Sequence, residues 1–322
     1  MKRFQVFVRF AVLLVLVASA APALAQSATL RYRWNKGEAI TYRMTMQTSS
    51  TVTGMPGINE MKIDQTMTQV MKIAVDDVAA DGTTTLRETF ESVKLAMDGP
   101  MGHVEYDTAS PSTIANPMIQ SMRQVLGAMV GESITIVQAA DGTVRKVEGG
   151  TRILEKLTKS MAGDPAAAAA AQGLRSMMTD EALKATMEQS FAKLPANPVK
   201  ASDTWAGQLN LGNDIVGKIV GTVKFTVKAI EGSADAAMAR IGVSLALKQE
   251  TAPPSGPNGM VMKLGAATGD GEMLFDVAKG RIQKSTMKSD MPSTITMQAP
   301  DGSPATLQNR TTTMMTMELV EK

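Results

Sequence analysis

The sequence predicts an α+β protein: one or two curved antiparallel β-sheets, half-barrel-like, with helices from the central segment packed on them. Three observations carry this. Apolar and polar residues alternate with period two over most of the chain, as in strands with one buried face. The other face of each stretch is polar, which is the antiparallel pattern rather than the doubly buried parallel one. Helical periodicity is confined to a central segment, 114–194, which joins two strand-rich halves of similar style, 28–145 and 198–322.

The first residues set the compartment. "MKRFQVFVRF" carries Lys2, Arg3 and Arg9, "AVLLVLVASAA" is an apolar run, and "ALA" at 23–25 supplies small residues for cleavage after Ala25. This is a Sec-type signal peptide, 1–25, leaving a single β-rich domain, 26–322. The apolar run is shorter than the ~18 residues a membrane anchor needs. No Cys follows it, so the lipoprotein route is closed and the expected location is periplasmic or secreted. Without the three basic residues of the leader, 30 Lys+Arg stand against 31 Asp+Glu, and net charge moves from +2 to −1. No basic stripe remains to mark a nucleic-acid partner. With no Cys there are no disulfides and no thiolate chemistry. Stability must come from the core, which a chain of this size can build, burying roughly three-quarters of its unfolded surface.

The strands follow in order. In "ITYRMTMQ", Ile40, Tyr42, Met44 and Met46 share one face. Met61, Ile63, Met67, Met71, Ile73 and Val75 share a phase in the next run. "GTTTLRETFESVKLAMDG" changes phase between Phe90 and Val93, which predicts a bulge. Asp81-Gly82 and Asp141-Gly142 are hairpin turn signals. After the helical segment, Ile219, Val223, Phe225 and Val227 alternate with polar residues, as do Ile241, Val243, Leu245 and Leu247. "GEMLFDVAKGRIQKSTMKSDM" reads as a hairpin around Lys279-Gly280, and a last strand carries Met315, Met317 and Leu319 in phase.

Four helical pieces are expected between the halves. Asn116-Pro117 opens the first, with Met118, Met122, Val125 and Met129 on one stripe. Ile153, Leu154, Leu157 and Met161 mark the second, and Asp164-Pro165 opens a third containing the run Ala166–Ala171. Thr179 caps the fourth, with Asp180 and Glu181 in its first turn and Leu183, Met187 and Phe191 at i, i+4 and i+8. "TAPPSGPNG" (251–259) is a polar loop.

The chain has 26 Met and an aromatic content of 4%, so methionine must supply much of its apolar volume. Met at i and i+2 of a strand points to one side. Met44 with Met46, and Met315 with Met317, therefore read first as core stripes in phase with Ile40, Ile73 and Leu319. A second reading is a Met-lined concavity for acyl chains or lipopeptides, because thioethers adapt to varied apolar partners. Its lining would be Met44, Met46, Met67, Met71, Met315, Met317 and Phe225. A third is a soft-metal site, since thioethers suit Cu(I), although Cys is absent and His103 is the one imidazole.

Enzyme templates fail. There is no G-x-S-x-G elbow, no H-E-x-x-H, no phosphate-binding glycine loop and no Rossmann fingerprint. No metal and no cofactor is expected. A hydrolase would need carboxylates converging on His103. Asp76 and Asp77 point to opposite sides of a strand, and Trp34 and Trp205 lie where Trp anchors a core edge. The expectation is a non-enzymatic protein whose partner is an apolar small molecule or another envelope protein, with a structural or interaction module of the envelope as the alternative.

Four segments carry a resemblance: "LRYRWNKGEAITYRMTM" (30–46), "ITIVQAADGTVRKVEGG" (134–150), "FAKLPANPVKASDTWAGQLNL" (191–211) and "GEMLFDVAKGRIQKS" (271–285). In this order they resemble an uncharacterised family of exported bacterial proteins, domain of unknown function 6263. The resemblance implies no catalytic residues. Ala201-Ser202 departs from it, standing where a Gly is usual before Asp-Thr-Trp. A looser resemblance is to the half-barrel of envelope lipoprotein carriers, which implies a curved antiparallel sheet wrapping helices around an apolar pocket.

Overall fold

The computed structural model describes residues 26–55, 58–100, 102–110, 126–160, 178–213, 217–251, 261–298 and 304–320. The expected signal peptide, the helix from Pro117 to Val125, the alanine run and most of the 251–259 loop lie outside them.

Successive hairpins build the first half. β1 (Ala39–Met55), β2 (Ile58–Val78) and β3 (Thr84–Gly99) pair in order. β4 (Gly102–Asp107) and β5 (Ser133–Gln138) share the far edge of β3, and β6 (Val144–Glu148) pairs with β5. The second half runs β7 (Thr204–Asn213), β8 (Gly217–Glu231), β9 (Met238–Thr251), β10 (Val261–Leu264), β11 (Ala267–Asp276), β12 (Arg281–Gln298) and β13 (Pro304–Val320). β10 and β11 share an edge of β12, as β4 and β5 share one of β3. The two meanders meet where β1 pairs with β13 from Thr41↔Val320 to Thr53↔Gln308. The result is one 13-stranded antiparallel sheet in the order β6-β5-β3-β2-β1-β13-β12-β11-β9-β8-β7.

The local signals account for this layout. The Asp81 and Asp141 carboxylates each accept from the backbone N–H two residues on, at 2.9 Å, closing the β2–β3 and β5–β6 turns. The expected bulge is Glu91: Val70 faces Ser92 and Met71 faces Phe90. Just before β7, Ser202 has φ 75°, the one described non-glycine residue in the left-handed region. The family resemblance implies a glycine at Ala201-Ser202. Restoring it, Ser202→Gly, is expected to raise stability by about 0.5–1 kcal/mol, the strain relieved less the extra freedom of the unfolded chain. Urea denaturation measures this, and a loss of stability would contradict it.

Helices play a smaller part than an α+β assignment implies: the fold is mostly antiparallel β. Among the described residues two α-helices have full bounds, α1 (Gly150–Ser160) and α2 (Asp180–Ser190). α1 buries Ile153 and Leu157, both at most 1% exposed. Thr179 caps α2 by accepting from Ala182 N at 3.1 Å. Leu183 and Met187 of α2, with Phe191 after it, pack on the core. α2 contacts both outermost strands, β6 and β7.

The main core gathers at one end of the sheet, and a second small cluster, Val104 and Tyr106 with Leu126 packed on it, lies on β4. The main core joins Tyr42 of β1, Ile73 and Val75 of β2, Leu86 of β3, Ile134 and Ile136 of β5, Phe225 and Val227 of β8, Ile241 of β9 and Phe275 of β11. A strap, residues 28–34, is held across this end. Ala28 bridges Val199, Tyr32 N donates to Ala140 O at 2.8 Å, and Arg33 N donates to Gly280 O at 3.1 Å. The Trp34 indole donates to Gln138 at 3.1 Å, and the Arg31 guanidinium donates to the carbonyls of Pro195 and Ala196, each at 2.6 Å. Tyr32 sets its ring edge-on to Phe191 and Phe275. The four segments behind the family resemblance all meet here, so their residues are explained by architecture.

Candidate functional site

The register sorts side chains into two sides. One carries the core. The other carries Arg43, Thr45, Gln47, Lys72, Thr68, Lys288, Asp290, Arg310, Thr312 and Lys224, a lattice of threonines and charges. Exposed pairs such as Arg310–Asp290 at 2.6 Å hold it and contribute little individually.

On the core side the apolar surface does not stop where the core stops. The row Phe90–Met71–Tyr42–Leu319 borders the core. Next comes Val93–Gln69–Met44–Met317–Ser285–Met273. Beyond it lies Leu95–Met67–Met46–Met315–Met287, four methionines on four neighbouring strands. The following row is mixed: Met97, Gln65, Thr48, Thr313 and Ser289, with Thr48 and Thr313 hydroxyls 3.5 Å apart, and apolar residues return beyond it at Ile63, Val52 and Met291. The methionines thus form a band between a closed core and a row of mostly polar side chains.

All six predicted methionines, Met44, Met46, Met67, Met71, Met315 and Met317, lie on this side. Their phase is as expected; their burial is not that of core stripes. Each is half-buried, whereas Met273 is 2% exposed. The reason is length. β2 has 21 residues, about 70 Å at 3.3 Å per residue, and the core covers only one end of it. Met71 and Met317 touch the core; Met44, Met46, Met67 and Met315 are not among the residues packed on it. Phe225 belongs to the core instead: it is 6% exposed and stacks on Trp205 with centroids 5.1 Å apart. The Trp205 indole donates to Lys193 O at 2.8 Å, so it anchors the edge strand.

Two residues of this side escaped sequence reading. Met287 joins the outer row because the register of β11 and β12 shifts between Leu274 and Phe275. A shift of that kind resets the alternation, which hides the phase in the sequence. Glu88 is the other. It faces inward between Ile73 and Ile134 at 7% exposure. Its signal was visible: in "TLRETF" the carboxyl sits in the apolar phase of Leu86 and Phe90. Burial alone raises its pKa from 4.5 to about 7.

The remaining candidates are placed elsewhere. His103 lies exposed on the polar side, Nδ1 2.8 Å from Asp98 and Nε2 3.7 Å from Glu105, and the Asp98 hydrogen bond raises its pKa. Carboxylates do converge on it, in open solvent. Asp76 pairs with Arg87 at 2.6 Å and Asp77 with Lys36 at 2.9 Å, so each has a structural partner. Asp180 and Glu181 stand in the first turn of α2. No group of three or more His, Cys, Asp or Glu able to hold a metal occurs among the described residues. No helix there is long and apolar enough to cross a membrane.

One antiparallel sheet whose apolar side runs on past its core defines an architecture rather than an activity. The chain belongs to the Family of unknown function (DUF6263), matching it over residues 81–282. No curated protein matches the chain. Among solved structures it is similar to lipovitellin, in a structure concerned with lipid-protein interactions in that protein, at 10% identity and TM-score 0.43. That alignment covers 90% of this chain and 26% of the other, so the chain spans about a quarter of lipovitellin's length. An outer membrane channel from Pseudomonas putida F1 aligns at 7% identity and TM-score 0.27, over 90% of this chain and 97% of that one. DynF from the dynemicin pathway of Micromonospora chersina aligns at 8% identity and TM-score 0.19, over 91% and 85%. Alignments this loose carry nothing about ligand or mechanism.

Proposed function

We propose that the chain is an exported, non-enzymatic envelope protein that binds an apolar ligand, the acyl chain of a lipid or lipopeptide, on the methionine band. In this reading the sheet is a half-barrel, closed at the strap and α2, and the band lines its wall. The observation that carries it is the outer row Met67–Met46–Met315–Met287, half-buried and continuous with the core. Soft unbranched side chains suit a ligand of variable shape, and covering the part of each that is still exposed contributes a fraction of the ~1.5–3 kcal/mol of full burial.

Cross-strand pairing also favours a second reading. Met44 faces Met317 and Met46 faces Met315, so thioethers that are far apart in sequence become neighbours. Such a cluster suits Cu(I). One variant pair separates the two. Met46→Leu with Met315→Leu keeps the apolar area and removes both sulfurs. Displacement of a neutral solvatochromic dye by dodecanol is expected to survive this change and to weaken by about ten-fold or more in Met46→Lys/Met315→Lys. Stoichiometric Cu(I) uptake lost in the Leu variant would establish the metal instead. If dye and dodecanol bind neither the original chain nor the Leu variant, the lipid reading is wrong.

A further inference from the structure

We infer that Glu88 is the polar anchor of this site, and that the ligand is an amphiphile with an amine head and a long alkyl chain. The inference rests on the apolar-ligand reading above and adds the chemistry of the head group.

Every other buried polar side chain described has at least one partner, although Gln138 Nε2 and Arg281 Nε are buried without one. Thr84 donates to Gly82 O, Gln138 accepts from Trp34, and Asp276 accepts from Lys279 N. Arg281 pairs with Glu38, and Ser293 accepts from Asn309. Glu88 makes no hydrogen bond and no ion pair with any described residue, although it is as buried as they are. A carboxyl in such a place is costly unless something comes to meet it.

Its position suits a head group. Glu88 stands directly opposite Ile73, in the row next to Phe90 and Met71. Both of those are half-buried and lead outward to the methionine band. From Ile73 to Met67 on β2 is six residues, roughly 20 Å, the reach of a long alkyl chain. A head at Glu88 would therefore lay its tail along Met71, Met44 and Met46.

Charge selects the head. Toward Glu88, β2 presents Met71, Ile73 and Val75, β5 presents Ile134 and Ile136, and β3 itself presents Leu86 and Phe90. α1 turns Ile153 and Leu157 inward and keeps Arg152, Glu155, Lys156 and Lys159 exposed. Lys156 and Arg152 are engaged with Glu132. Among the described residues no cation faces Glu88, so a phosphate or carboxylate head would find no countercharge there, whereas an ammonium would find its counter-ion in a low-dielectric setting. The raised pKa has the same origin, burial without a charged partner. An arriving ammonium supplies that partner and favours the ionised carboxylate.

Three probes of equal chain length test this: dodecylamine, dodecanol and dodecanoate. Each competes against the same neutral dye, below its micelle concentration, at pH 7.4. The full chain is expected to bind dodecylamine at least about ten-fold more tightly than dodecanol, the scale of a charge-assisted hydrogen bond, and dodecanoate most weakly. Glu88→Gln, nearly isosteric, is expected to bring amine and alcohol within about three-fold of each other. If dodecanol binds but the amine preference is absent, or survives in Glu88→Gln, the anchor is refuted and the apolar site stands. If none of the three binds, both fall.

Discussion

Glu88→Gln is expected to stabilise the protein by about 3 kcal/mol at pH 8 to 9 and by almost nothing below pH 4.5. Burial raises the Glu88 carboxyl from 4.5 to about 7 in the folded chain, and no other cause contributes. Between these values the folded state holds a proton that the unfolded state has released. Stability is therefore fully present below pH 4.5, falls as pH rises toward 7, and stays low beyond it. At about 1.4 kcal/mol per pKa unit the loss comes to about 3 kcal/mol. Carboxylates held by partners act in the opposite sense: Asp81, by the Thr83 amide and hydroxyl, and Asp290, by Arg310, have lowered pKa values and weaken the fold as pH falls. Subtracting the variant's denaturation free energy from that of the unaltered chain at each pH cancels those terms and leaves Glu88. The difference curve should bend between pH 4.5 and 7 and be flat on either side. A difference independent of pH would mean that Glu88 is solvated or paired, and the anchor would lose its physical basis. An unpartnered acid that weakens the fold at neutral pH fits a ligand role better than a packing role.

Much of this fold was legible because strand signals are local. The alternation of Ile40, Tyr42, Met44 and Met46 and the Asp-Gly turns at 81–82 and 141–142 correspond to observed strands and hairpins. The phase change after Phe90 is an observed bulge. Burial was not legible. Alternation reports which side a residue faces, not whether anything covers that side, so core stripe and open band look alike in sequence. The pairing of β1 with β13 joins residues more than 200 apart, such as Tyr42 and Leu319, and no short-range pattern encodes it. The same limit hid the meeting of Met46 with Met315. The family segments were recognisable as a series, but their common place at the strap is visible only in three dimensions.

Gly280→Ala should cost about 4 kcal/mol, backbone strain and a steric clash together. Gly280 closes the β11–β12 hairpin at φ 61°, a conformation that strains an L-residue by about 1–2 kcal/mol. A Cβ there would also lie 2.5 Å from Arg31 O and 2.5 Å from Arg33 N, both backbone atoms of the strap. Neither can swing aside as a side chain could. The strap would have to lift, lengthening the Arg33 N to Gly280 O hydrogen bond and loosening Leu30, Tyr32 and Trp34, which are 0%, 5% and 9% exposed. Overpacking of this kind costs about 1–3 kcal/mol. Gly37→Ala supplies the control. Gly37 has φ 82° but would meet nothing within 4 Å, so it carries the conformational strain alone, about 1–2 kcal/mol. The excess of Gly280→Ala over Gly37→Ala in urea denaturation measures what the strap's contact with the hairpin contributes. Equal losses would show that the strap yields freely and that the closed end of the sheet is held by α2 and the 191–199 segment instead.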